Sequence, residues 1–122
     1  MKKLSLLMVA VLALLLVGCS SQRSPESATK AFFKAVSQSA YGDAVKYVKM
    51  DENDKPDELA KALELDDKDN KIVSYNVLGA AYRTKDNAKV AVAVEYEKGE
   101  PKKDITIVNV VKVDGKWVID EF

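Results

Sequence analysis

At Lys71 the spacing of apolar residues changes from every third or fourth position to every second, and this switch divides the chain into a helical half and a strand half. A chain built this way buries both halves by laying its helices across one face of a sheet, so the order predicts an α+β domain. Two to three N-terminal helices are expected on a curved four-stranded antiparallel meander. Ser24 supplies an N-cap acceptor, Pro25 lacks only an N–H that a first turn leaves unbonded, and Glu26 suits the positive end of the dipole. Ala28, Ala31, Phe32, Ala35 and Val36 then share one face, predicting a helix from Pro25 to about Ser39. Tyr41-Gly42-Asp43 reads as a break that caps a second helix ending near Met50, with Ala44, Val45, Tyr47 and Val48 inward. Pro56-Asp57-Glu58 opens a third, short helix to about Leu65, and Asp66 to Asn70 is a loop by composition.

The strand half is punctuated by turn chemistry. Ile72 to Tyr82 is rich in β-branched and aromatic residues, and Lys85-Asp86-Asn87 follows as a turn. In the next run Val90, Val92, Val94 and Tyr96 lie on one face, with Lys89, Ala91, Ala93, Glu95 and Glu97 on the other. Lys98 to Pro101 forms a turn and Ile105 to Val113 a third strand. Asp114-Gly115 signals a two-residue type I′ hairpin back into Trp117 to Phe122.

The first eighteen residues carry a different signal. Lys2 and Lys3 precede an apolar run from Leu4 to Val17, then Gly18 and the chain's one cysteine, Cys19. A run of about fourteen apolar residues is shorter than the roughly twenty a spanning helix needs. Leu16-Val17-Gly18-Cys19 resembles the lipobox of bacterial lipoproteins, which implies cleavage between Gly18 and Cys19 and a diacylglyceryl group on the Cys19 thiol. Acylation of the new amino terminus would follow, since one buried acyl chain holds only marginally and two or three hold stably. Residues 1–18 are then a signal peptide, 19–24 a lipidated terminus and short tether, and 25–122 the domain. The segment Ser20 to Arg23 spans at most about 15 Å, so the domain rides close to the bilayer.

Removing residues 1–18 from 122 leaves 104, one domain long enough to bury a core. With Cys19 lipidated no thiol remains for a disulfide. The absence of histidine removes the commonest general base and transition-metal ligand, and with them zinc chemistry and a Ser-His-Asp triad. Without Lys2 and Lys3 the chain has 17 basic and 19 acidic residues. Charge is graded: Asp51 to Asp69 holds nine acidic residues against Lys55, Lys61 and Lys68, whereas residues 19–50 are basic, a gradient suited to an anionic headgroup surface. No dense basic patch with interleaved aromatics supports nucleic-acid binding.

Ser24-Pro25-Glu26-Ser27-Ala28, Ala31-Phe32-Phe33-Lys34-Ala35-Val36, Tyr41-Gly42-Asp43-Ala44-Val45 and Asp114-Gly115-Lys116-Trp117-Val118-Ile119 together resemble small bacterial lipoproteins of unknown function in the nuclear transport factor 2-like, or cystatin-like cone, superfamily. The resemblance implies a cone whose sheet and helices can enclose a pocket, on a fold that serves isomerases, dehydratases, carriers and structural modules alike. Phe33, Tyr47, Tyr75 and Trp117 are the candidate pocket residues, with core filling the competing use. No inward carboxylate stands out for acid–base chemistry: Glu95 and Glu97 lie on the outer face of their strand, and Asp120 alternates with Trp117 and Ile119. Asp66, Asp67, Asp69 and Asn70 fail the calcium-loop pattern, since counting from Asp67 puts Lys71, Ile72 and Leu78 at positions five, six and twelve.

The expectation is a membrane-anchored, non-enzymatic envelope lipoprotein with no catalytic residues, metal or cofactor. It contacts the bilayer through Cys19 and binds an envelope protein or a small apolar ligand. The alternative is an isomerase- or dehydratase-like enzyme with a buried carboxylate in the cone. In a diderm host Ser20 after the cysteine points to the periplasmic side of the outer membrane; in a monoderm host the site is the outer face of the cell membrane. Small Ala91 and Ala93, beside Glu95 and Glu97, leave the outer sheet face open to docking or dimerisation.

Overall fold

A computed structural model describes residues 21–121; Gly18, Cys19 and the signal segment lie outside the described residues. The chain runs α1 (Pro25–Ser37), α2 (Tyr41–Ala44), a 3₁₀ turn (Val45–Tyr47), α3 (Pro56–Asp69), β1 (Ile72–Thr84), β2 (Asn87–Tyr96), β3 (Lys103–Val113) and β4 (Lys116–Glu121). The strands pair antiparallel in sequence order, giving the expected meander with helices on one face.

α1 starts as its sequence dictates. Ser24 Oγ accepts from the Ser27 amide and Ser27 Oγ accepts from the Ser24 amide, both at 3.1 Å, satisfying donors that a helix start leaves open. Ala28, Phe32, Phe33, Ala35 and Val36 are buried, and Ser39 turns left-handed at φ 58° just beyond the end. The opposing layer is β2, where Ala88, Val90, Val92 and Val94 are buried in strict alternation. Their row continues through Val108 and Val110 of β3 and Ile119 of β4. Burying each such side chain contributes about 1.5–3 kcal/mol. Asp114 at φ 52° and Gly115 at φ 80° give the left-handed pair that a type I′ hairpin requires.

The strands β1, β2 and β3 run two to three residues beyond their expected ends, and three boundaries in the helical half differ in kind. Tyr41-Gly42-Asp43 does not break the chain before a helix; it is helical itself, and the break is Ser39-Ala40. The second helix ends at Tyr47 rather than Met50. Val48 becomes extended, bridges Ile119 in parallel, and leaves the Lys49 amide to donate to the Ile119 carbonyl at 2.7 Å. Most consequentially, α3 continues through Asp66 to Asp69 instead of stopping at Leu65. Among the described residues no helix is long and apolar enough to cross a membrane.

Candidate functional site

A cavity of about 430 Å³ lies between α1, α3 and the end of the sheet around Ile72 and Tyr96. Phe32, Phe33 and Val36 of α1 form one wall, Leu63, Asp66 and Asp67 of α3 a second, and Ile72, Tyr96 and Thr106 the floor. The β2–β3 turn, Lys98 to Pro101, makes the rim. The apolar residues of α1 and the floor face a polar side made by Asp66, Asp67, Asn70, Lys98 and Glu100, so the cavity is amphipathic, with a volume in the range of small-molecule sites.

Asp67 is the buried polar residue of that wall, whereas Asp66 and Asn70 are exposed. Leu59, Leu63 and Asp67 fall at i, i+4 and i+8 of α3, so continuing the helix carries Asp67 onto its inward face. It is 7% exposed, whereas Leu59 and Leu63 are half-buried. Oδ2 accepts from the Tyr41 hydroxyl at 2.5 Å, while among the described residues nothing hydrogen-bonds to the buried Oδ1. An unpartnered buried oxygen costs about 1–3 kcal/mol, more when charged. The last turn of a helix, where backbone carbonyls concentrate negative charge, is also an unfavourable place for an anion. Asp67 is therefore held against two local preferences, the condition under which a buried polar group calls for an explanation beyond packing.

Asp67 also forms part of a second hollow of about 330 Å³, with Ser39, Tyr41, Glu64 and Lys71. Since Tyr41 lines that hollow and not the cavity, the pair sits in the wall between them, with Oδ1 the oxygen not engaged by Tyr41. The hydrogen bond to Asp67 raises the Tyr41 pKa above its ordinary 10.0, with Ser39 acting in the opposite sense and partial burial adding to the rise. The Tyr96 pKa is raised by burial first, then by Asp104 and Asp66. At neutral pH both phenols are hydrogen-bond donors as well as acceptors.

Of the four aromatic residues expected to line a pocket, Phe33 and Tyr75 are brought together, and Tyr47 and Trp117 lie elsewhere. Phe33 lines the cavity and stacks on Tyr75, with centroids 6.0 Å apart. Tyr75 itself faces hollows outside the cavity, Tyr47 packs half-buried beside the core, and Trp117 meets Tyr82 edge-on at 5.9 Å. Phe32 joins Phe33 in the wall and Tyr96 lies in the floor; their spacing signals a buried face without distinguishing cavity lining from core. Asp67 is missed because the run Asp66 to Asn70 has loop composition, although the spacing from Leu59 and Leu63 would have reached it.

Other polar positions lie away from the cavity. Asp120 pairs with Lys49 at 3.8 Å, and Glu95 accepts from Ser74 at 3.1 Å on the outer face. That face carries an open trough of about 510 Å³ along Ser74, Ala93, Glu95 and Ile105, with no buried unpartnered group. The trough exceeds the cavity in volume, but it is walled by one layer only. Among the described residues no group of three or more His, Cys, Asp or Glu side chains is placed to hold a metal ion.

No curated protein matches the chain. Among solved structures, a Campylobacter jejuni protein described as a nuclear transport factor 2-like transpeptidase superposes with a TM-score of 0.62 at 17% identity, covering 81% of this chain and 99% of its own. A DUF4783 family protein from Bacteroides ovatus gives 0.58 at 15% identity, over 81% and 91% of the two chains. A ketosteroid isomerase-like protein from Erwinia carotovora atroseptica gives 0.54 at 17% identity, over 81% and 90%. These likenesses show the nuclear transport factor 2-like fold that the helix starts and hairpin resemble. A family model described as a domain of unknown function, DUF4878, matches residues 17–120, and the chain therefore belongs to that family.

Proposed function

We propose that this protein is a cell-envelope lipoprotein, anchored through acylated Cys19, whose domain binds a small apolar ligand bearing one hydrogen-bond donor. The observation that carries the ligand reading is Asp67. A buried carboxylate oxygen without a partner, at the edge of an aromatic-walled cavity, suits a molecule that fills the cavity with its body and donates to Oδ1 with its head. The anchor reading rests on the lipobox and the charged start before it. Binding is the leading reading because the pairing that the structure gives Asp67, to Tyr41, leaves Oδ1 open to a donor from a ligand.

One observation favours the enzymatic alternative: Asp67 beside Tyr41 and a cavity above 300 Å³ are the ingredients of carboxylate-based proton transfer in a cone, and one solved neighbour is described as ketosteroid isomerase-like. Two substitutions test the proposal. Cys19→Ala should leave an unprocessed precursor without lipid; lipid attachment and processing as in the wild type would contradict the anchor. Leu63→Trp fills the cavity from α3 and should abolish co-purification of a small molecule, whereas a ligand retained at wild-type stoichiometry would place it elsewhere.

A further inference from the structure

The tether is shorter than the sequence suggests, because the domain begins before α1. The Trp117 amide donates to the Gln22 carbonyl at 3.0 Å, and Gln22 Nε2 donates back to the Trp117 carbonyl at 3.4 Å. Gln22 is thereby fastened to the start of β4, beside the Asp114-Gly115 turn. Only three peptide steps separate Cys19 from it, at most about 11 Å, close to the Debye length of roughly 8 Å at physiological salt. If Cys19 is lipidated, this end of the sheet cannot leave the bilayer surface.

The same end is basic. The Lys112 amide donates to the Asp86 carbonyl at 2.9 Å, which draws the β1–β2 turn against the β3–β4 turn. Arg23, Arg83, Lys85, Lys112 and Lys116 are all exposed there, against Asp86 and Asp114, a local charge of plus three. The ion pairs among the described residues lie elsewhere, at Lys46–Asp43, Lys49–Asp120 and Lys55–Glu58. β2 runs ten residues from this end to Tyr96 at the cavity floor, about 30 Å at strand rise.

We propose that the paired turns β1–β2 and β3–β4 form a docking surface for anionic lipid headgroups, which turns the cavity rim at Lys98 to Pro101 away from the membrane. The inference rests on the lipoprotein reading. The lipid fixes which end is near; the charge fixes how it sits. A ligand then enters from the aqueous side and not from the bilayer.

The test uses the processed full chain in lipid nanodiscs, either zwitterionic or containing phosphatidylglycerol, with a paramagnetic gadolinium chelate on a fraction of the headgroups. In anionic discs, relaxation enhancement should be about fivefold or more greater at the amides of Lys85, Asp86 and Gly115 than at Gly99 and at Lys68 and Asp69 in the last turn of α3, which lie beside Lys98. Combining Lys85→Glu, Lys112→Glu and Lys116→Glu, or adding about 0.5 M salt, should reduce that ratio about threefold. These side chains are exposed, so folding should survive, as the unchanged dispersion of core amides would verify. Equal enhancement at both ends, or a ratio indifferent to charge reversal, would overturn the orientation while leaving the anchor intact. A chain whose mass shows no lipid on Cys19 would remove the lipoprotein reading and this proposal with it.

Discussion

In β2 every inward side chain from Ala88 to Val94 is buried among apolar neighbours, whereas in α3 the one buried residue is a carboxylate. The strand is held by the commonest means, apolar area removed from water on one face. The helix is amphipathic only in part: Leu59, Ala60 and Leu63 are half-buried, Leu65 is 64% exposed, and the deepest contact is the Tyr41–Asp67 hydrogen bond. A layer fastened by so little apolar area opens more readily than the sheet beneath it. One side of the cone is therefore a rigid floor, and the other a loosely held wall that carries the cavity's polar group.

Substitutions should expose this asymmetry. Ile119→Ala in the floor, at a side chain fully buried, should cost about 2–5 kcal/mol in urea denaturation. Tyr41→Phe removes the donor to Oδ2 and leaves both Asp67 oxygens unpartnered, which should cost about 1–3 kcal/mol; a loss below that range would mean Asp67 is relieved by moving into solvent. The same pair should appear in the pH dependence. Because the folded pKa of Tyr41 lies above the unfolded 10.0, its contribution is fully present below pH 10 and is lost as pH rises through the folded value. The alkaline decline in stability should be shallower in Tyr41→Phe, with the remainder due in part to Tyr96, whose pKa is also raised. Leu65→Ala, in the same helix but outward, should change stability by less than about 0.5 kcal/mol.

The two regions were also unequally legible. The alternation of Val90, Val92, Val94 and Tyr96 against Lys89 and Glu95 has one physical reading, a half-buried strand, and the molecule follows it. Asp114-Gly115 is equally local, because few residues adopt two successive left-handed conformations. α3 is different. Its last turn is a run of charge, and an inward polar residue interrupts the apolar period that would extend the helix. Asp67 is hidden in the sequence because it departs from the apolar pattern that marks folding. The end of the 3₁₀ turn that follows α2 was hidden for another reason, since Val48 turns extended to meet Ile119, seventy-one positions later, and local propensity carries no such partner.

The central claim is that Asp67 gives the cone its ligand. Native mass spectrometry of the protein extracted from its own membranes, as wild type and as Asp67→Asn, tests it most directly. The account predicts a lipid-modified Cys19 in both forms, with a small molecule retained at about one per chain in the wild type and reduced about tenfold or more in Asp67→Asn at unchanged fold. A lipidated protein that carries no small molecule in either form, or that carries it equally in both, would contradict the account.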